Sequence, residues 1–403
     1  MCGMSDILPQ PDHFDVMVIG GGPAGVAAAI AIASTGASTA LIARRLPYGD
    51  NRTTALLGDS IDLLDRIDVW RRCTSKSAAL RVMRLVDDTD RLIRAPEVAF
   101  RAEEIGLDAF GYNIENRHLM VALEERADEL PHLIRFDDEA EIVSPEETAV
   151  AVSTRQGRLL SAALVVGADG RKSLCRDAAG ISVSRKLLPQ AALTFNVSHN
   201  RPHRNVSTEF HTSAGPCVFV PLPGRNSSVV WVMQPRDAER MLALSDDELA
   251  AAAEKQSHSI LGKITVQPGR NLFPLSFERP QHFASKRIAL VGEAAHVVPP
   301  IGAQGLNMGL RDAGALADIV REARERGDDL GSPAVLQRFE SARRGDINGR
   351  SMVIDLVNRS LLSDLLPVQA ARAFGLHLLS GVGVLRRLAM REGLAMAWRP
   401  GRR

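Results

Sequence analysis

Residues 14–25 read Phe-Asp-Val-Met-Val-Ile-Gly-Gly-Gly-Pro-Ala-Gly, and the reading of this stretch decides the fold. Phe14 to Ile19 is an apolar run of strand length. The alanine-rich segment after it, to Ser34, is helical and is closed by Gly36. A second apolar strand follows from Ser38 to Ala43, so the segment is a β-α-β unit. Gly20, Gly22 and Gly25 stand between strand and helix with the spacing Gly-x-Gly-x-x-Gly, the context in which this pattern carries a mechanism. The first glycine makes the tight turn, the second admits a pyrophosphate to the helix N-terminus, and the third lets helix and strand pack closely. The acidic residue expected about 20 positions on, as a ribose ligand, is missing. The strand ends Leu41-Ile42-Ala43-Arg44-Arg45 instead. Either these arginines recognise a 2′-phosphate, or the ribose is held from elsewhere.

Residues 292–312, Gly-Glu-Ala-Ala-His-Val-Val-Pro-Pro-Ile-Gly-Ala-Gln-Gly-Leu-Asn-Met-Gly-Leu-Arg-Asp, carry the second strong signal. Ile288 to Val291 reads as a buried strand, and Leu306 to Val320 has helical spacing. Gly302 and Gly305 leave the loop between them bare, so a flat ligand can approach peptide N–H groups. The next helix offers unpaired donors and a positive dipole end there. A reduced flavin, with its negative charge around N1 and O2, suits such an end. Helix-end effects of about 0.3 to 2 kcal/mol bias a redox state but do not hold a cofactor alone. A third motif, Gly167-Ala168-Asp169-Gly170-x-x-Ser173-x-x-Arg176, ends an apolar strand, and the Asp169 carboxylate is suited to cap the following turn.

Length and composition bound the remaining possibilities. A chain of 403 residues with 45% apolar content supports a proper core, in two joined domains or one large one. A net charge of +1 gives no case for nucleic-acid binding. Cys2, Cys73, Cys175 and Cys217 lie far apart without zinc-like spacing, which predicts reduced thiols and no metal site. The N-terminus has no secretory pattern, and no apolar run approaches the roughly 18 residues of a membrane span. A cytoplasmic protein is expected.

Further along, 55–70 reads as an amphipathic helix ending before Trp70. Leu80 to Val86 and Arg91 to Ile93 read as a hairpin around Asp87-Asp88-Thr89-Asp90. Asn116 to Leu130 is helical, and Ile134 to Val143, Ala149 to Thr154 and Leu159 to Val166 are strands. From Ala191 to Met233 strand-like segments alternate with Gly-Pro, Pro-Leu-Pro-Gly and Asn-Ser-Ser turns, a pattern of a separate lobe, and Asp246 to Ser259 is a helix within it. The first lobe resumes near Phe283.

In this combination the chain resembles the flavin-dependent aromatic hydroxylases with the p-hydroxybenzoate hydroxylase fold, and within them the ubiquinone-biosynthesis hydroxylases. The likeness spans nearly the whole chain. Besides the glycine fingerprint, Asp169-Gly170 and residues 292–312, it includes Asp50-Asn51-Arg52-Thr53-Thr54-Ala55-Leu56, Arg94-Ala95-Pro96-Glu97 and Gly111-Tyr112-Asn113-Ile114. Leu361-Leu362-Ser363-Asp364, Leu385-Arg386-Arg387 and Met390-Arg391-Glu392-Gly393 extend it toward the C-terminus. The implied fold is α/β: an FAD-binding Rossmann-like lobe (12–75, 108–182 and 276–345), an inserted mostly antiparallel β-sheet substrate lobe (76–107 and 183–275), and a C-terminal helical region (346–403).

The resemblance implies site residues one by one. Gly20, Gly22 and Gly25 would meet the FAD pyrophosphate, and Arg52 and Arg117 would lie near the cofactor's phosphates or adenosine. Asp169 would lie near the pyrophosphate and the transient nicotinamide site. Glu293, where many relatives carry Asp, would accept from ribityl hydroxyls. Gly305, Leu306 and Asn307 would face the flavin ring through their backbone amides, and the carbonyl of Pro300 would sit beside the substrate hydroxyl. His296 is expected to pack behind the loop. The missing acid after the second strand leaves the ribose contact unassigned, and the likeness puts FAD, not NADP, at the first nucleotide site.

The implied activity is an FAD-dependent monooxygenase that uses NADH or NADPH and O2, through a flavin C4a-hydroperoxide, to hydroxylate the ring of a polyprenylated phenol in ubiquinone biosynthesis. Two alternatives stand beside it: a hydroxylase of another aromatic substrate, and a non-catalytic flavoprotein scaffold. Phe210, Val218, Phe219, Val220, Leu222 and Trp231 are candidates for an apolar substrate pocket, and Glu209 and His211 for phenol deprotonation. Other ubiquinone-biosynthesis proteins are expected partners. After Pro367, Arg372, Arg386, Arg387, Arg391, Arg399, Arg402 and Arg403 face only Glu392, among Phe374, Leu376, Leu378, Leu379, Leu385 and Leu388. Such a basic amphipathic segment either rests on the inner face of the cytoplasmic membrane or packs on the flavin lobe with a solvated basic face.

Overall fold

The computed structural model describes residues 12–45, 49, 51–89 and 94–362, and beyond them residues 365, 369, 374, 375, 377 and 383–391. The strand Asp12–Ile19 pairs in parallel with Leu159–Gly167 on one side and with Thr39–Ile42 on the other. Leu133–Phe136 and Ile288–Leu290 extend the parallel sheet outward, and antiparallel strands complete its eight. Helix Pro23–Ala33 packs on this sheet and against helix Gln304–Arg326. Both faces of the inner strands are covered, so Val16, Met17 and Val18 are all fully buried in a continuous apolar run.

A second, seven-stranded sheet contains Val82–Asp87, Val98–Arg101, Val183–His199, Val206–His211, Pro216–Leu222, Asn226–Met233 and Ile264–Pro280. Its pairings are antiparallel except that of Val206–His211 with Val82–Asp87. One face carries Leu193, Phe195, Phe210, Phe219 and Val229 beneath Leu249, Ala250 and Ala253 of helix Asp246–Gln256. The other face looks toward the flavin-type loop. A small sheet of Thr53–Leu57, Ser77–Ala79 and Gly111–Glu115 joins the two regions.

Three expected elements differ. Residues 55–57 extend the strand Thr53–Leu57, and the helix occupies only Gly58–Arg66, because Ala55 to Leu57 pair with Asn113, Tyr112 and Gly111. The single strand expected over Ile134 to Val143 divides into Leu133–Phe136 and Ala140–Pro145. Asp138 makes the break, its carboxylate accepting from the backbone N–H groups of Glu139 at 2.7 Å and Gln156 at 3.3 Å. Val82–Asp87 pairs with Val98–Arg101; the expected partner Arg91 to Ile93 lies outside the described residues.

Helix Pro333–Leu362 continues through position 345 for 30 residues without interruption. Helix Gly383–Ala389 docks on the second sheet: Arg386 pairs with Glu104 and lies 4.9 Å over the Phe100 ring, and Met390 is buried beside Val98 and Phe110. Of the expected basic face, Arg386 is therefore turned inward, whereas Arg387 and Arg391 are exposed. Arg372, Arg399, Arg402 and Arg403 lie outside the described residues. Among the described residues no helix is long and apolar enough to cross a membrane, and no cluster of His, Cys, Asp and Glu could hold a metal ion.

Candidate active site

The glycine fingerprint is tightest at two of its three positions. Gly20 has a φ of 123°, and a Cβ there would overlap the Ala168 carbonyl; at Gly25 a Cβ would overlap the Gly20 carbonyl. At Gly22 a Cβ would meet nothing within 4 Å, and no side chain caps the helix that starts there with Pro23. The protein thus leaves open the space in front of the uncapped amides, which fits a pyrophosphate. Asp169 borders the same turn, its backbone nitrogen 2.9 Å from where a Gly20 Cβ would stand. Its carboxylate accepts from Ser173 Oγ at 2.6 Å and Cys175 N at 3.0 Å. Arg44 pairs with Glu139 and Arg45 with Asp128, so both arginines are committed to carboxylates and the reading of a 2′-phosphate site loses its basis.

The loop from Gly292 is held from behind by a buried ion network. Asp312 has no solvent exposure, and its carboxylate accepts from Gly292 N at 3.1 Å, His296 Nε2 at 2.7 Å and Arg343 Nε at 2.7 Å. Burial pushes this carboxyl upward, but His296 and Arg343 outweigh burial and hold it below the ordinary carboxylate range. His296 therefore packs behind the loop, as expected. Asn307 fastens the other end of the loop with four hydrogen bonds. Its Oδ1 accepts from Leu57 N at 2.9 Å and Ser60 Oγ at 2.6 Å, and its Nδ2 donates to Ala55 O at 2.7 Å and Ala303 O at 2.6 Å. Ala303 has a φ of 54°, a left-handed conformation uncommon for a non-glycine residue, and its carbonyl is held by Asn307. Beyond it, helix Gln304–Arg326 begins without a side-chain cap, and Gly305 has open space where a Cβ would stand. A flat ring fits against these amides.

Between loop and second sheet lies a cavity of about 360 Å³. Glu293, Pro300, Gly305 and Leu306 border it on the loop side and Arg52 at one end. Its floor follows from strand alternation and register. Glu209, Val218, Val230 and Thr194 stand opposite one another across four strands, and Ser207, Val220, Ser228 and Asn196 form the next such row. Of the residues expected to line a pocket, Val218 and Val220 do so. Phe210, Phe219 and Trp231 have the opposite phase and pack under the helices, and Leu222 is buried away from the cavity.

Arg52, Glu293, Pro300, Gly305 and Leu306 thus come together at one cavity, with Gly20, Gly22, Gly25 and Asp169 at the fingerprint turn. Asn307 stands behind the loop as a clamp. Arg117 does not border this cavity: it pairs with Glu115 at 2.9 Å, and its neighbour Asn116 lines the cavity. Arg171 was missed by sequence reasoning. It borders the cavity and pairs with Glu278 at 2.8 Å, and burial of Glu278 is outweighed by Arg171 and Arg185, which hold its carboxyl below the ordinary range. Its signal was its place directly after Asp169-Gly170.

An open pyrophosphate turn, a clamped glycine loop and a cavity between that loop and the second sheet define an FAD-binding flavoenzyme. Residues 13–345 match the FAD binding domain family, and the chain belongs to that family and is an FAD-dependent monooxygenase. It is 32% identical to the ubiquinone hydroxylase UbiL of Rhodospirillum rubrum over 94% of this chain and 89% of the relative. It is 29% identical to the 3-demethoxyubiquinol 3-hydroxylase of Escherichia coli over 95% of this chain and 98% of the relative. The crystal structure of p-nitrophenol 4-monooxygenase PnpA from Pseudomonas putida superposes with a TM-score of 0.78 at 18% identity, covering 94% of this chain and 98% of that one, which establishes a shared fold.

Proposed function

We propose that this enzyme hydroxylates the aromatic ring of a polyprenylated phenol in ubiquinone biosynthesis, using NADH or NADPH and O2. The observation that carries the reading is the cavity itself, in which a loop built for a flat ring meets a floor of Val218, Val220 and Val230. Bound FAD, reduced by NAD(P)H, supplies the electrons that activate O2. The chain's own residues do the rest. Gly20, Gly22 and Gly25 leave room for the pyrophosphate, Glu293 accepts from the ribityl hydroxyls, and the amides of Gly305 and Leu306, with that of Asn307 behind them, favour negative charge on the ring. Arg52 and Arg117 serve the phosphate and adenosine end, and Asp169 borders the pyrophosphate. The Pro300 carbonyl orients the phenol hydroxyl, and Val218, Val220 and Val230 on the floor limit access of water to the reacting oxygen.

In this reading the flavin lobe comprises 12–75, 108–182 and 276–345, and the substrate lobe the segments inserted between them. A polyprenyl tail is a bilayer component, which favours peripheral contact with the inner face of the cytoplasmic membrane and association with other ubiquinone-biosynthesis proteins. The test is purified protein given a short-chain prenylated phenol, NAD(P)H and O2. We expect a yellow protein and a product heavier by one oxygen atom. Flavin binding with NAD(P)H oxidation but no hydroxylated product from any prenylated phenol would overturn the substrate assignment.

A further inference from the structure

We propose that Glu209 is the catalytic proton acceptor for the substrate's phenolic O–H, with His211 as its positioning residue. This rests on the reading of the substrate as a phenol. Glu209 is the only ionisable side chain among the described residues that the second sheet contributes to the cavity. The other ionisable groups on the cavity wall are Arg52, Arg171 and Glu293, at or near the cofactor-side elements. A carboxylate among Val218, Val230 and Met83 costs desolvation and contributes nothing to packing, so its presence there calls for a chemical account.

The geometry supplies one. His211 stands two residues along the same strand, hence on the same face, and its Nε2 donates to Glu209 Oε1 at 2.9 Å. This bond leaves Glu209 Oε2 to meet a ligand. His211 is itself buried, outside the cavity wall, and so orients the carboxylate without touching what the cavity holds. The charged groups nearby are engaged elsewhere. Asp87, beside His211 on the neighbouring strand, accepts from Thr89 Oγ1 at 2.6 Å and Ala95 N at 2.8 Å, and Arg94 precedes Ala95. Asp88 accepts from His258 at 2.8 Å and Gln256 at 2.7 Å. The strand on the other side presents only Val218 and Pro216 opposite the pair.

The step balances as follows. As the activated oxygen bonds to the ring carbon, its O–O bond breaks and that electron pair leaves with the other oxygen, which ends as water; the phenolic O–H electron pair becomes the C=O bond of a cyclohexadienone, and the proton passes to Glu209 Oε2. When the ring carbon then loses its hydrogen as a proton to water, the ring regains aromaticity and Glu209 returns its proton to the oxygen. The oxidant is the activated oxygen of the established reaction. Nothing further is needed.

The experiment uses FAD-loaded full-length protein and 2-(3-methylbut-2-enyl)phenol, with ring-fluorinated versions of the same phenol. Glu209→Gln should retain FAD, and hydroxylation of the parent phenol at neutral pH should fall by about 100-fold or more, the usual contribution of a positioned acid–base group. The deficit should shrink as fluorination makes the phenol more acidic, because an ionised phenol needs no acceptor. Glu209→Asp should recover part of the activity, and His211→Asn should shift the acid limb of the wild-type pH profile that Glu209→Gln abolishes. Unchanged hydroxylation in Glu209→Gln, or a deficit equal for all the phenols, overturns the proposal. A wild-type protein that hydroxylates none of these phenols overturns the substrate reading instead.

Discussion

Replacing Asp312 with Asn tests whether the loop is held by charge or by shape. The side chain keeps its volume, so any loss is electrostatic. In the wild type a fully buried carboxylate meets Arg343 Nε and His296 Nε2, each at 2.7 Å, and the N–H of Gly292 at 3.1 Å. An amide in its place turns an NH2 toward one of these donors and leaves the Arg343 guanidinium without its principal counter-charge. Breaking a buried pair in this way costs about 3 to 5 kcal/mol. Asp346 remains 2.8 Å from Arg343 Nη2, which argues for the lower end. We expect Asp312→Asn to lose about 3 kcal/mol in urea unfolding at neutral pH, and FAD affinity to fall because Gly292 anchors the loop that carries Glu293.

The pH dependence has a fixed sign. The folded-state carboxyl is held below its unfolded value, so its contribution is complete above the ordinary Asp pKa of about 3.9 and is lost as pH falls through the lower folded value. The gap between wild type and variant should therefore persist from neutral pH to about 4 and narrow only below that. A loss under about 1 kcal/mol at neutral pH, or a gap that narrows on raising the pH, would refute the reasoning.

Other expectations follow from the same geometry. Gly22→Phe should fold, since a Cβ there meets nothing within 4 Å, yet lose FAD on gel filtration; Gly25→Ala should lose both FAD and thermal stability, because its Cβ overlaps the Gly20 carbonyl. Val218→Phe should narrow the cavity, raising KM for bulky phenols more than for phenol itself, while the urea midpoint moves little. Burial pushes the Cys73 thiol to about 12 and raises Cys175 and Cys217 well above the usual range. All three should therefore resist a thiol-disulfide reagent at pH 8 in the native protein and react on unfolding. Arg386→Ala should free the helix Gly383–Ala389 from Glu104 and raise its proteolytic cleavage without altering FAD content.

Much of the flavin side was legible because its constraints are local. Gly20, Gly22 and Gly25 are read from consecutive residues whose backbone geometry allows little else, and the strand and helix on either side supply the context. The loop at 292–312 was equally readable. The cavity floor was not, because register depends on partner strands far away in sequence: Val218 faces the cavity and Phe219 the helices only through pairing with Val206–His211 and Asn226–Met233. The same distance hid Arg343, whose bond to Asp312 spans 31 positions, and it hid the task of the Asn307 side chain, a clamp on residues near 57. Residues 55–57 misled for the opposite reason. A short apolar run beside a helix has no periodicity of its own, and pairing with Gly111–Glu115 decided it.

The two faces of the second sheet have separate tasks, and that separation bears on how such a protein changes over generations. Residues facing the cavity, such as Val218, Val220 and Val230, alternate in the chain with Phe219, Val229 and Trp231, which lock the helices in place. A mutation at one parity tunes what the chamber accepts; a mutation at the other threatens the architecture. Random drift can therefore explore new aromatic guests one residue at a time while every second position stays frozen. The zigzag of a β-strand makes diversification and robustness neighbours on one backbone rather than competitors for the same sites.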